Sequence, residues 1–151
     1  MLYFIIILAL LVLDRVTKLL ILNKMQLGDS LDLISNFFYI TYWENKGAAW
    51  GIFQNGRWFL ITLTLIVSIV LIKLLLSSKN KIFSLSLSLL ISGAFGNLID
   101  RVFRGSVTDF LDFKIFKYDF PIFNVADMCV VVGTFIFAYY LLFIYEEKEK
   151  E

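Results

Sequence analysis

The sequence predicts an all-α membrane protein, a bundle of four transmembrane helices forming a single integral membrane domain over 1–151. Three observations carry that prediction. Hydrophobic residues fill 60% of the 151 positions and aromatic residues 17%, against the roughly 45–50% apolar content of a soluble domain. Four long apolar stretches divide the chain, and the connections between them alternate long, short, long. The length allows one compact helical unit and no second domain.

The first stretch runs from Met1 to Leu22 and is interrupted by Asp14, Arg15 and Lys18; the second, about 58–76, carries only Lys73. The third, about 82–99, and the fourth, about 128–145, carry no charge. A helix needs ~20 apolar residues to cross the hydrocarbon core. Helices are the open segments able to do so, because each satisfies its own backbone groups. Lys73 lies near a helix end, from which it snorkels to the interface. The first stretch has the length of a cleaved signal peptide, but no basic region precedes Leu2. Charges stand where a small-x-small cleavage site belongs, and the apolar run resumes as Leu19-Leu20-Ile21-Leu22. A retained helix is the expectation.

Ser77-Ser78-Lys79-Asn80-Lys81 is a tight basic turn, whereas Asn23–Arg57 and Asp100–Asp127 are long. In an up-down bundle the two long connections share one side of the membrane, which gathers the function-bearing loops there. Leu33 to Trp43 is rich in aromatic and β-branched residues and predicts a strand or two. It also suits the headgroup zone, as do Phe113, Phe116, Tyr118, Phe120 and Phe123 of the second loop. Basic residues leave the orientation open. The long loops hold more of them, but the short turn has the higher density. The tail Glu146–Glu151 reads as a solvated, frayed end.

Composition removes several function classes. A net charge of +1 argues against nucleic acid as a partner. With no histidine, a His-ligated metal site and a Ser-His-Asp triad are both excluded. The one cysteine, Cys129, forms no intrachain disulfide and reads as a packing residue of the fourth helix.

What remains is polar chemistry at the membrane boundary. Asp14 and Lys18 lie one helical turn apart and share a face, as a structural ion pair or as part of a site. Arg15 points elsewhere and snorkels. Asn45-Lys46-Gly47-Ala48-Ala49-Trp50-Gly51 reads either as an ordinary turn or as backbone that approaches a substrate closely. Gly93, Ala94 and Gly96 let another helix pack closely. Asn97, Asp100 and Arg101 cluster where the third stretch ends, again as boundary residues or as site residues. Asp109 and Asp127, 18 positions apart (127 minus 109), meet only if the second loop folds back onto the fourth helix. Held together, two carboxylates share one proton and supply an acid and a base in one place. Held apart, they are solvated acids or, for Asp127, a helix cap. Asp112 and Asp119 read as solvated loop acids.

Five segments then carry a resemblance: Asp14-Arg15-Val16-Thr17-Lys18, Asn45-Lys46-Gly47-Ala48-Ala49-Trp50, Gly93-Ala94-Phe95-Gly96-Asn97-Leu98-Ile99-Asp100-Arg101, Val107-Thr108-Asp109-Phe110 and Phe123-Asn124-Val125-Ala126-Asp127. In this order and spacing the chain resembles the lipoprotein signal peptidases, or signal peptidase II, over nearly its whole length. Arg15 stands where many members have Gln, and Ser92 where a second Gly is common; neither departure touches the two aspartates.

The resemblance implies a bacterial inner-membrane aspartyl endopeptidase. It would remove the signal peptide from diacylglyceryl-modified prolipoproteins, cutting before the lipidated cysteine. It implies Asp109 and Asp127 as the catalytic pair, supported by Asp14, Lys18, Asn45, Gly47, Asn97, Asp100, Arg101 and Asn124. No metal or other cofactor is expected. Both termini would be cytoplasmic, and the active site would face the extracytoplasmic side beneath a small β-platform formed by the first long loop. Prolipoprotein signal peptides and membrane lipids are the expected partners, and a monomer the expected state. Two other classes compete. A proton-coupled transporter subunit requires a polar file through the bilayer, which the second and fourth stretches lack. A purely structural membrane protein requires Asp109 and Asp127 to do no more than cap and pair.

Overall fold

In this computed structural model, residues 1–48, 52–115 and 118–145 are described, the side chains of 118 and 119 excepted. Ala49, Trp50, Phe116 and the tail 146–151, which the sequence reading assigned to a turn, a loop and a frayed end, lie outside them, as does the side chain of Asp119. Among the described residues, four helices and four strands follow in the order α1 (Leu2–Lys24), β1 (Ser30–Ile34), β2 (Phe38–Asn45), α2 (Arg57–Ser77), α3 (Lys81–Arg104), β3 (Val107–Ile115), β4 (Tyr118–Asp119) and α4 (Val125–Tyr139). A π-helical extension, Tyr140–Tyr145, prolongs α4.

The helices form where the apolar runs predict them, and local chemistry sets their ends. Asn80 caps α3 by accepting from the N–H groups of Ile82 and Phe83. Gly105, at φ 84°, ends it in the left-handed conformation that glycine adopts without steric cost. Thus α3 runs past Ile99 to Arg104, and Asn97, Asp100 and Arg101 lie inside the helix with fixed directions. Likewise α4 begins at Val125, ahead of its uncharged run, because Asn124 and Asp127 close a reciprocal capping box.

Helix α3 is the hub and packs against α1, α2 and α4. Gly93 permits the closest approach: a Cβ there would run into the Ala126 carbonyl oxygen and the Val130 side chain of α4. Near the short turn, Leu75, Leu87 and Ile91 form a buried cluster flanked by Tyr3, Ile7 and Phe137. The Tyr3 hydroxyl donates to the Lys81 carbonyl, which puts the start of α1 at that same end. Large apolar side chains point outward along α1, α2 and α4, as lipid-facing surfaces require. Among the described residues, three helical spans are long and apolar enough to cross a membrane: α2, α3 and α4 with its extension, Val125–Tyr145. Helix α1 is as long, but Asp14, Arg15, Lys18 and Lys24 interrupt it.

The sheet differs from the expected platform. Its strands pair antiparallel in the order β1-β2-β3-β4, so the second long connection supplies β3 and β4. The reason is that β1 and β2 form a hairpin, leaving one edge of β2 free to pair with the segment that carries Asp109. Register places Trp43 opposite Asp109 and Asn45 opposite Val107. An isolated bridge between Leu111 and Phe123 then returns the chain to the head of α4.

Candidate active site

Five segments of the chain place polar side chains into one buried cluster at the end of the bundle away from the short turn. Strand β3 delivers Asp109, which is 1% exposed. The first turn of α4 delivers Asp127, and the residue that joins them is Asn124. Its Nδ2 donates to Asp109 Oδ1 at 2.6 Å, while its backbone N–H donates to Asp127 Oδ2 at 3.1 Å. Its Oδ1 accepts from the Asp127 N–H at 3.0 Å. The helix cap and the link between the carboxylates are therefore the same residue.

Asn97 closes the ring from α3. Its Nδ2 donates to Asp127 Oδ1 at 2.7 Å, and its Oδ1 accepts from Asn124 Nδ2 at 3.2 Å and from Lys18 Nζ at 3.1 Å. That partner set fixes which way each amide faces. Asn45, at the end of β2, donates to the other Asp109 oxygen at 3.2 Å and accepts from the Gly47 N–H at 2.9 Å. The Gly47 carbonyl in turn accepts from Arg101 at 2.9 Å. Arg101 reaches from α3, near enough for the charges of Asp127, Asp109 and Asp100 to act on it.

Beneath the pair, Lys18 is fully buried and bridges two carboxylates, Asp14 Oδ2 at 2.9 Å and Asp100 Oδ2 at 3.3 Å. Asp14 Oδ1 accepts the Ala126 N–H at 2.9 Å, tying α1 to the start of α4. Asp100 accepts the Thr108 N–H at 3.1 Å and so fixes the backbone immediately before Asp109. Burying a lysine is costly, and here two acids that are themselves hydrogen-bonded compensate it.

Electrostatics sets Asp109 apart. Burial pushes its carboxyl up to about 7, and the negative charge of Asp127 adds to the shift. Hydrogen bonds from Asn124 and Asn45 and the charge of Lys18 pull the other way. Near neutral pH, two acids arranged like this hold one proton between them more readily than two or none.

All ten residues singled out from the sequence fall in this cluster: Asp14, Lys18, Asn45, Gly47, Asn97, Asp100, Arg101, Asp109, Asn124 and Asp127. Arg15 is a correction: it does not turn away to snorkel but pairs with Asp100 Oδ1 at 2.5 Å, because Asp100 lies within reach of α1. Asp112 is not simply solvated, since it accepts from the Thr41 hydroxyl across the sheet at 2.7 Å. Sequence reasoning also missed Arg57. It donates to the carbonyls of Arg101 and Val102, both at 2.8 Å, and braces the end of α3. No local spacing signals that contact across 44 positions.

Comparison with known proteins identifies the family and the fold. Residues 6–143 match the family model described as signal peptidase (SPase) II. A lipoprotein signal peptidase of Anoxybacillus flavithermus (strain DSM 21510 / WK1) is 41% identical, the match covering 100% of this chain and 90% of that one. Two solved bacterial membrane enzymes, determined by the in meso method, share the fold. One, at 2.3 Å resolution, has TM-score 0.91 and 38% identity, covering 99% of this chain and 92% of its own. The other, at 1.9 Å, has TM-score 0.86 and 40% identity, covering 94% and 93%. On the family match and the full-length identity, the chain belongs to the signal peptidase II family and is an aspartic protease.

Proposed function

We propose that Asp109 and Asp127 are the catalytic dyad of this protease. As a signal peptidase II it removes signal peptides from prolipoproteins. On our reading its substrates carry a diacylglyceryl group on the cysteine that follows the cut. The observation that carries the dyad is Asn124, which hydrogen-bonds one oxygen of each aspartate.

One aspartate of the monoprotonated pair is ionised and takes a proton from water. The resulting hydroxide equivalent attacks the scissile carbonyl, which the protonated aspartate polarises by donating to its oxygen. The tetrahedral intermediate collapses as a proton passes to the leaving amine. With a carboxyl raised to about 7, the pair keeps one proton at neutral pH. Because the pair titrates as a unit, the proton belongs to both. Asn45, Asn97, Arg101 and Asn124 are the candidates to bind substrate backbone, which needs partners once it unwinds within lipid.

In this reading α1 crosses the membrane as a fourth span, with Asp14 paired to Lys18 within the helix and Arg15 and Lys18 paired to Asp100 of α3. Tyr3 bonded to Lys81 puts the start of α1 and the short turn at one end; in this reading that end and the C-terminus are cytoplasmic, and the site opens at the extracytoplasmic surface of the inner membrane. The protein works as a monomer among membrane lipids. A transporter reading finds little support, since the buried serines Ser86, Ser88 and Ser92 bond to carbonyls of their own helix.

The test is cleavage of a diacylglyceryl-modified prolipoprotein by purified protein, beside Asp109→Asn and Asp127→Asn. Both variants should fold and lose at least about 10³-fold in kcat, the loss of acid–base function. Near-full activity in either one rules that residue out of the dyad.

A further inference from the structure

A polar cavity of about 360 Å³, lined by neither Asp109 nor Asp127, lies where α2 begins and α3 ends. Glu44, Lys46, Asn55, Arg57, Arg104 and Ser106 line it. Three are cations and one is an acid. Arg104 pairs with Glu44 at 3.2 Å and donates to the Tyr42 hydroxyl. Arg57 directs Nε and Nη2 at carbonyl oxygens, which orient its guanidinium without neutralising it. Among the described residues, no carboxylate pairs with Arg57 or Lys46. The cavity thus holds two uncompensated positive charges beside one neutralised pair.

Its rim is apolar. Trp58 is 72% exposed and lies under the Arg57 guanidinium at 5.1 Å, while Phe103, next to Arg104, is 78% exposed. Phe59 is also half exposed. Tryptophan beside arginine at the end of an apolar helix marks the level of the lipid headgroups. The first turn of α2 holds no acidic residue, and Gly56 offers it no side-chain cap, so its dipole adds to the positive field. A soluble anion needs the cations but not the exposed aromatic residues beside them. An amphiphile needs both.

We propose that this cavity binds the phosphate headgroup of an anionic phospholipid, whose acyl chains descend past Trp58 and Phe103. Basic pockets between transmembrane helices recognise anionic headgroups by this complementarity. The lipid would brace the α2–α3 end, from which Arg57 reaches the carbonyl of Arg101. The proposal needs only a membrane-embedded chain and stands whether or not the dyad assignment does.

Tryptophan quenching by brominated lipid tests it. In a Trp43→Phe/Trp50→Phe background, Trp58 is the sole reporter. Full-length protein in mixed vesicles should favour brominated phosphatidylglycerol over brominated phosphatidylcholine beside Trp58 by about fivefold or more. Lys46→Gln with Arg104→Gln should bring that ratio near unity, and Glu44→Gln should raise it. No preference in the starting protein, or a preference that survives the double variant, overturns the proposal. Should the double variant not fold, Glu44→Gln decides, and an unchanged or lowered ratio there also overturns it. Millimolar inorganic phosphate should leave the ratio intact; if it abolishes the preference, the ligand is the free anion and the lipid proposal fails.

Discussion

Asn124 donates to Asp109 Oδ1 at 2.6 Å, across 15 positions of chain, while its backbone begins the helix that carries Asp127. One side chain therefore couples the geometry of the sheet to that of the bundle. Asn124→Ala removes both the cap and the link. A lost cap costs about 0.5–2 kcal/mol, and a misplaced acid costs on the order of 10²-fold in rate. Asn124→Ser should restore the thermal stability, because serine also caps, yet leave kcat low, because its hydroxyl is too short to bridge to Asp109. Recovery of both together would show that the link does no catalytic work.

Activity should fall as pH rises through about 7, the value to which burial and Asp127 push the Asp109 carboxyl. Above it the pair loses its shared proton, and kcat/KM should drop about tenfold per unit. The stability effect has the same direction. An unfolded aspartate releases its proton near pH 3.9, whereas the folded one keeps it to about 7. The folded state therefore binds more protons between those values. The contribution of this group is complete below the unfolded value and is lost as pH rises through 7. Thermal melts across that range, wild type beside Asp109→Asn, isolate the effect. Equal pH slopes in the two proteins would contradict it.

Lys18→Met should be among the most damaging changes. Its ammonium is shared by Asp14 and Asp100, both nearly or fully buried. Removing it leaves two carboxylates with less than their full compensation and should cost about 3–5 kcal/mol. Adding Asp14→Asn should return part of that stability, because one buried charge goes with it. A double-mutant cycle by thermal unfolding in detergent checks this; strict additivity would mean that the pair is not coupled.

Thr108 predicts the opposite sign. Its hydroxyl is fully buried beside Asp109 and has no hydrogen-bond partner among the described residues. Thr108→Val keeps the shape and removes an unsatisfied group whose burial costs about 1–3 kcal/mol. The variant should melt at the same temperature or higher and retain the Thr108 N–H bond to Asp100, which is a backbone contact. A melting temperature several degrees lower would mean that the hydroxyl is satisfied after all.

The helices were legible because a span is a local property. Uninterrupted apolar length marks it, and small polar residues such as Asn80 and Gly105 end it. Asp14 and Lys18 were legible for the same reason, one turn apart on one face. Asp109 and Asp127 were visible only as acids in awkward places, and their pairing entered through resemblance, because no helical or strand period spans 18 residues. Tertiary structure decided the rest. It drew β3 of the second loop onto the first, because β2 had an unpaired edge to satisfy. It turned Arg15 to Asp100, because a buried carboxylate takes the nearest cation. The sequence by itself determined which segments prefer lipid and which residues are costly to place there. The bundle decided which of those costly residues meet, because contacts between groups far apart in the chain are set by packing.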